Sequence, residues 1–234
     1  MQPGYLPWLG FFELMYNCQK FVLLDDVQYT KKDWRSRNKI RTKDGWAWLT
    51  VPVISKHYRL QTIKEAKIDN TSNWRLKHLK SFEINYNKAA YFNRYFPLLK
   101  EIYNRRWNFL VDLDTEIIML FAKQLGIMTP VTHSSLLHTK GGREERIIDI
   151  CAKMGARELY DSKAAGSILD LQDFIEAGID IKFQDYSHPE YKQVYQPFIA
   201  YMSIVDLLFN CGSDSLAILL SKQGAVRKAQ NEVF

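Results

Sequence analysis

The feature that most restricts the fold lies in the first 38 residues, where a helix-like segment leads directly into a short apolar run. Gly4 and Pro7 mark a turn, and apolar side chains then recur every three or four positions over residues 8–18, which predicts an amphipathic helix. Residues 21–24 are continuously apolar and end at Asp25 and Asp26, as in a buried parallel strand that reaches a polar edge. Because a helix that returns to a parallel strand ordinarily follows another strand, we expect a strand before residue 1.

The rest of the chain changes periodicity twice. Residues 39–70 are rich in β-forming side chains and are broken by Asp44-Gly45, which predicts a small antiparallel insertion with strands that include residues 62–68. Helical spacing follows, and from Gly126 onward short strands alternate with helices. The predicted helices are 73–85, 91–103, 109–125, 144–154, 168–177, 198–210 and 215–220, and the later strands are 129–133, 158–160 and 181–183.

An alternation of strands and helices predicts βαβ units, in which helices cover parallel strands. We therefore expect an α/β fold with a mainly parallel, Rossmann-like sheet flanked by helices. No repeat, low-complexity tract or linker divides the sequence, so we interpret residues 1–234 as a single domain. Its β-rich insertion spans about residues 39–70, and its helical segment spans about residues 72–125.

Composition argues against several classes of protein. No apolar run approaches the roughly 20 residues that cross a bilayer, and no secretory signal opens the chain. The three cysteines are widely spaced, which favours a reduced, cytoplasmic protein. No Cys or His spacing is typical of a metal site, and we predict none. The net charge of +6 is dispersed, without a basic helix, so we expect an anionic small molecule as partner and no nucleic acid.

Polar side chains cluster where the predicted strands end, which is where open α/β sheets bind ligands. Arg143 and Arg146 lie one helical turn apart near a helix N-terminus, whose amides favour an anion. These charges could instead be solvated loop residues. Asp25 and Asp26 could together hold Mg²⁺, but adjacent strand residues point to opposite faces, so only one of them is expected to reach the site. The candidate substrate-binding residues of these segments are Gln2, Tyr5, Gln28, Trp34, Arg37, Asn38, Ser134, Ser135, Arg143 and Arg146.

A fourth polar cluster follows the strand at residues 181–183. His188 could act as a general acid or base with a neighbouring carboxylate, or it could cap the turn that Pro189 imposes. His133 could likewise act as a general acid or base. No Gly-x-Ser-x-Gly elbow surrounds the paired serines after His133, which argues against a serine hydrolase. The candidate catalytic residues are His188 and Asp25, and the cluster adds Tyr191 and Gln193 as substrate contacts.

These motifs, taken in order, resemble a known family. The segments QPGYLPWLGFFELM, FVLLDDVQYTKKDWRSRNKI and LTVPV resemble the opening of the WbqC-like protein family. The segments SSLL, GGREER, IIDICAKMGA and YKQVYQPFIAYMSIVDLLFNCG resemble later parts of the same family. The resemblance implies a bacterial protein linked to O-antigen and other surface-polysaccharide biosynthesis, and it transfers no catalytic residue. The opening is also similar in layout to nucleotidylyltransferases of the HIGH-signature superfamily, but the paired histidines of that signature are missing.

We therefore expect a cytoplasmic transferase of O-antigen or surface-polysaccharide biosynthesis that adds a small group to a nucleotide-activated sugar. Arg37, Arg143 and Arg146 would hold phosphate or carboxylate, and Trp34 or Tyr191 would stack on the ligand. The alternative is a non-catalytic binding or assembly protein that supports a glycan-synthesis enzyme. The sequence identifies no cofactor and leaves a homo-oligomer open.

Overall fold

The structure, a computed structural model, describes residues 1–54 and 61–221. The end of the predicted domain, residues 222–234, and residues 55–60 of the predicted insertion lie outside these ranges. The first half contains α1 (Leu9–Asn17), β1 (Phe21–Leu23), β2 (Arg37–Thr42), β3 (Gly45–Thr50), α2 (Trp74–Tyr86), α3 (Phe92–Asn104) and α4 (Leu110–Leu125). The second half contains β4 (Val131–His133), α5 (Arg143–Met154), β5 (Glu158–Asp161), α6 (Leu171–Glu176), β6 (Asp180–Phe183), α7 (Ile204–Cys211) and α8 (Ser215–Leu220).

The strands form small sheets, each of two strands. β1 pairs with β4 and β5 pairs with β6, both in parallel, whereas β2 and β3 form an antiparallel hairpin. The predicted α/β class, the parallel pairs and the β-rich insertion are thus present. The extended Rossmann-like sheet is not, because within the described ranges no ladder of hydrogen bonds joins the two parallel pairs.

The backbone of Met1 lies along the edge of β1 that faces away from β4. Its nitrogen donates to the Val22 carbonyl at 3.0 Å, and the Leu24 amide donates to the Met1 carbonyl at 2.8 Å. Phe21 donates in the other direction, to the carbonyl of Pro130 beside β4. Met1 bonds to Val22 and Leu24, as a residue of a parallel neighbour does, so the chain runs from Met1 in the direction of β1 and reaches the same carboxyl edge as Asp25.

Two predicted elements are wrong in detail. Residues 62–68 do not form a strand. Ile63–Glu65 is a 3₁₀ turn that lies between an isolated bridge at Thr62 and isolated bridges at Lys67 and Ile68, because the Glu65 carboxylate accepts hydrogen bonds from the amide and the hydroxyl of Thr62. The helix predicted at 198–210 begins only at Ile204. Ser203 is held extended by a bridge to Trp8 and by a hydrogen bond to the Lys39 carbonyl, which a helix would break.

Most of the buried apolar side chains form one large core. It combines α1, the three helices α2 to α4, α7 and the inner face of the hairpin. A smaller cluster of Cys151, Phe174 and Ile179 lies under β5 and β6. Among the described residues, no helix has both the length and the apolar character required to span a membrane.

Gly126 and Gly212 both have positive φ, but only at Gly212 would an added Cβ overlap a neighbouring side chain. At Gly126 (φ 75°), which ends α4, an added Cβ would meet nothing within 4 Å. At Gly212 (φ 56°), which ends α7, the same atom would lie 2.3 Å from the Tyr91 ring. Tyr91 also donates its amide to the Phe209 carbonyl, so the ring has little freedom to withdraw.

We predict that Gly212→Ala lowers the free energy of unfolding by roughly 2–4 kcal/mol, because overpacking against Tyr91 adds to the cost of placing alanine at φ 56° and ψ −122°, a conformation that favours glycine. Gly126→Ala, a control in the left-handed helical conformation with no steric overlap, should cost only about 1 kcal/mol. Urea unfolding followed by circular dichroism measures both values. Equal losses in the two variants would contradict the close approach of Tyr91 to Gly212.

Candidate functional site

The carboxyl ends of β1 and β4 bring together side chains that are more than 100 positions apart in the chain. The parallel register pairs Leu23 with His133, so the residues that follow each strand lie side by side. Asp25 consequently meets Ser134 and Ser135, and Asp26 meets Arg146. The predicted site residues Asp25, Ser134, Ser135 and Arg146 therefore form one cluster, together with Asp26, at this edge.

The carboxylate of Asp25 is buried and saturated with hydrogen-bond donors. The Ser135 amide lies 2.9 Å from Oδ1 and the Ser135 hydroxyl 2.8 Å from Oδ2. His133 Nδ1 lies 3.1 Å from Oδ2, and the Ser134 hydroxyl 3.2 Å from Oδ1. Burial alone would raise the pKa of Asp25, but the hydrogen bonds from His133 and Ser135 outweigh it and lower the pKa to about 2. Asp25 is therefore an anion at neutral pH.

This contact determines which nitrogen of His133 carries the proton. An ionised carboxylate only accepts hydrogen bonds, so Nδ1 donates, and in the neutral imidazole Nε2 keeps its lone pair. Nε2 has a long contact, 3.4 Å, with the Thr115 hydroxyl, and the side chain is 24% exposed. An imidazole oriented by a carboxylate and partly open to solvent is the arrangement of a general base.

The neighbouring aspartate neutralises the cation that was predicted to hold a substrate anion. Arg146 Nη1 lies 3.1 Å from Asp26 Oδ2 and 3.3 Å from the Asp26 carbonyl. The Ser134 hydroxyl is 2.5 Å from Asp26 Oδ1. At the start of α5, the Glu145 carboxylate accepts from the Gly142 amide at 2.8 Å. Internal carboxylates thus already occupy Arg146 and one amide of this helix terminus, while Arg143 is exposed, with one long contact to a carbonyl.

Asn38 holds the N-terminal turn in place. Its amide donates to the Leu6 carbonyl at 2.6 Å and its carbonyl oxygen accepts from the Lys39 amide at 2.7 Å, so both polar ends have protein partners. Leu6 has φ 48°, a strained value for a non-glycine residue. The Tyr5 amide donates to the Trp34 carbonyl at 3.0 Å. These contacts join the turn to the loop that leads from Asp25 to β2.

Tyr5 belongs to a buried polar cluster that the sequence did not predict. Its hydroxyl lies 2.8 Å from His78 Nδ1 and also contacts the hydroxyl of Tyr103. Asp114 on α4 is fully buried, and neither of its carboxylate oxygens has a hydrogen-bond partner. Burial therefore raises the pKa of Asp114 well above its usual range, and burial lowers the pKa of His78 to about 4. His78 is therefore neutral at neutral pH.

Trp34 and Arg37 meet on the outer face of the hairpin. Both contact Trp48, Trp34 with its ring centroid at 5.4 Å and Arg37 with its guanidinium carbon at 4.3 Å. Gln28 is exposed and bridges to Thr62. Gln2 is half-buried just beyond the edge of β1.

His188 lies in an aromatic cluster rather than beside a carboxylate. Its Nδ1 is 2.9 Å from the Pro189 carbonyl, and its ring packs on Tyr191 and Tyr201. Burial lowers the pKa of His188. Asp185 is 76% exposed and lies 4.0 Å from Lys163. Among the described residues it is His133, not His188, that has a carboxylate partner. His188 contacts the Pro189 carbonyl, but residues 187–190 form no turn for it to cap.

Tyr191 and Gln193 both donate to a buried aspartate on α7. The Tyr191 hydroxyl lies 2.8 Å and the Gln193 amide 2.7 Å from Asp206 Oδ2, while Oδ1 has no partner. Gln193 is also bonded to both backbone groups of Ile199. Burial raises the pKa of Asp206 to about 6, against the hydrogen bonds that lower it. The network fastens residues 191–199 to α7.

We predict that Asp25→Asn destabilises the protein by roughly 2 kcal/mol at pH 7, because the folded state favours the Asp25 anion. The pKa of Asp25 is depressed to about 2, so its stabilising contribution is present above about pH 4 and is lost as the pH falls from 4 to 2. The variant should approach the wild type in that range. Chemical unfolding at pH 7 and pH 3 measures this, with the exposed Asp44→Asn as control. A penalty that is the same at both pH values would contradict it.

Asp206→Asn should show the opposite dependence. Since the pKa of Asp206 is raised to about 6, the stabilising contribution of its protonated form is present below about pH 4 and is lost as the pH rises from 4 to 6. Asparagine is neutral throughout, so the variant should gain up to about 3 kcal/mol relative to the wild type between pH 4 and pH 7. Melting temperatures across this range test the slope, and parallel curves for the two proteins would refute it.

Comparison with known proteins agrees over nearly the whole chain. The model of the WbqC-like protein family matches residues 2–218. The uncharacterized protein Rv1507c of Mycobacterium tuberculosis is 36% identical over 217 residues, which cover 92% of this chain and 94% of that protein. No solved structure matches the chain. The chain described above, with its His133–Asp25 contact between β1 and β4, belongs to the WbqC-like protein family.

Proposed function

We propose that the protein is a cytoplasmic transferase of surface-polysaccharide biosynthesis that adds a small group to a nucleotide-activated sugar, with His133 as general base. The observation that carries the proposal is the contact of His133 Nδ1 with the ionised Asp25 carboxylate at 3.1 Å. The class of substrate follows from the resemblance to the WbqC-like family and from the net positive charge. The name of the matched mycobacterial relative specifies no reaction.

In the proposed step, His133 Nε2 accepts the proton of a sugar hydroxyl or amine while that oxygen or nitrogen bonds to the transferred group. The bond between the transferred group and its donor breaks at the same time, and the donor leaves with the bonding electron pair. The imidazole then carries a positive charge, which the Asp25 anion stabilises through Nδ1. Ser135 supports this role because it holds both carboxylate oxygens in place.

The other predicted substrate contacts fall into two groups. Some have polar side chains that already bond within the protein, and the others are open to a ligand. Arg37 and Arg143 have no carboxylate partner in the described part of the chain, so we assign substrate phosphates to them rather than to Arg146. Trp34, which is 48% exposed, is accessible for stacking. Asn38, Tyr191 and Gln193 are bonded within the protein, and we assign them to positioning the loops.

A non-catalytic assembly protein remains the second candidate. It is favoured by the number of polar groups at the β1–β4 edge that are already bonded to one another, Arg146 with Asp26 above all. Such a protein would need the fold of this edge but not the lone pair of His133 Nε2.

The variant His133→Asn separates these functions. Its side-chain amide can still donate to Asp25 in place of Nδ1, but it supplies no base, so we expect transfer to fall by about 10²–10⁴-fold. Transfer is measured by mass spectrometry of UDP-glucose and UDP-N-acetylglucosamine incubated with acetyl-coenzyme A or S-adenosylmethionine. Both nucleotide sugars should raise the melting temperature of wild type and variant alike, whereas free glucose should not.

His188→Asn is the matched control and should retain most of the transfer activity. Loss of activity in His188→Asn together with full activity in His133→Asn would overturn the assignment of the base. Failure of every nucleotide sugar to shift the melting temperature would overturn the substrate class. Stable co-purification with a glycan-synthesis enzyme that survives His133→Asn, without any transfer, would support the assembly protein.

A further inference from the structure

The outer face of the β2–β3 hairpin carries an unusual concentration of indoles and cations. The antiparallel register pairs Lys39 with Trp48 and Arg37 with Thr50. Paired residues point to the same side of a hairpin, and residues two apart on a strand share a face. Arg37, Lys39, Trp46 and Trp48 therefore lie on one face, and Trp34 from the preceding loop adjoins them. We call these five residues the tryptophan face.

The members of the tryptophan face are in contact with one another. Trp48 lies in the middle, with ring centroids 5.4 Å from Trp34 and 5.6 Å from Trp46. The Arg37 guanidinium is 4.3 Å from the centroid of Trp48, and Lys39 Nζ is 4.3 Å from that of Trp46. Cations at this distance are attracted to the indole faces, which holds them between the rings.

The tryptophan face is open to solvent and its positive charge is not neutralised within the described chain. Trp34 is 48% and Trp46 is 45% exposed, although a large apolar side chain normally gains by burial. Among residues 1–54 and 61–221, no carboxylate forms an ion pair with Arg37 or Lys39. Arg37 Nε is in addition buried without a hydrogen-bond partner. The exposed indoles and uncompensated cations together favour a ligand that has an apolar face and a negative charge close to it.

We propose that the tryptophan face binds an acidic sugar, a pyranose ring that carries a carboxylate or phosphate. The C–H face of a pyranose packs on an indole, and its charged substituent can reach a cation that lies only 4.3 Å from the ring centre. Trp34 and Arg37 are also assigned above to the nucleotide sugar, so the two proposals share part of this surface, but binding of an acidic sugar is measured without any transfer. The sugar can be free or one unit of a chain, and the two cases share this chemistry.

Two other occupants fit the geometry less well. Successive bases of a single strand stack on separate aromatic platforms, but the rings here are inclined at 59° and 82° to one another. A second copy of the chain would bring the same positive charges together, and like charges in contact oppose association.

Calorimetric titration of the full chain with a short oligomer of galacturonic acid tests the inference. Binding should weaken as salt is added, because the contact is partly ionic. Trp46→Ala and Lys39→Gln should each weaken it by about tenfold, equivalent to about 1.4 kcal/mol. Lys88→Gln, which removes the same charge from an exposed position after α2, should leave it unchanged. Monomeric galacturonate, titrated in parallel, distinguishes a single-sugar site from a chain-binding surface.

Several outcomes would overturn the proposal. They are equal binding of a neutral malto-oligosaccharide, equal loss of affinity in Lys88→Gln, and tighter binding of single-stranded DNA than of the acidic oligomer. Concentration-dependent dimerisation that Trp46→Ala abolishes would show that the face is covered by a second copy. Circular dichroism of each variant establishes that the exposed substitutions leave the fold intact, and activity measured with His133→Asn is independent of all these results.

Discussion

The carboxylate of Asp25 is the interaction on which the arrangement of this protein most depends. Every polar atom of the residue is engaged: its side chain accepts from the residues at the end of β4, its amide donates to Ser134, and its carbonyl accepts from Lys64. β1 and β4 are only three residues long, so their own ladder supplies few hydrogen bonds. The buried anion adds the contacts that hold the two carboxyl ends together, and the same contacts orient His133.

Three buried aspartates show how burial and hydrogen-bond donors together set the pKa of a carboxyl group inside this fold. Asp25 accepts from His133 and from the amide and hydroxyl of Ser135, and it has a pKa of about 2. Asp206 has donors on one oxygen only and a pKa of about 6, and Asp114 has none and a pKa raised well above its usual range. All three are less than 5% exposed, but Asp25 lies less deep in the protein than Asp206 and Asp114, so shallower burial and its hydrogen-bond donors together give it the lowest pKa.

Residue patterns predicted a large part of this arrangement. Helical spacing located α2 to α5 and α8 to within about two residues, because an amphipathic stripe needs only local information. The rule that ligands bind beyond strand ends brought Asp25, Ser134, Ser135 and Arg146 into one cluster before any contact was known. The start of α7 was missed because Ser203 is held by Trp8 and Lys39, residues far away in the chain.

The sequence by itself determined the order of helices and strands, the polar strand ends and the family, since these depend on periodicity and on the residues in their order. Tertiary structure alone decided the sizes of the sheets and which histidine acquires a carboxylate. His133 and His188 look alike in sequence, but Asp25 reaches His133 only because β1 and β4 pair in parallel across more than 100 residues. Hydrogen bonds between distant segments depend on how strands and helices pack, and local sequence patterns carry no information about that packing.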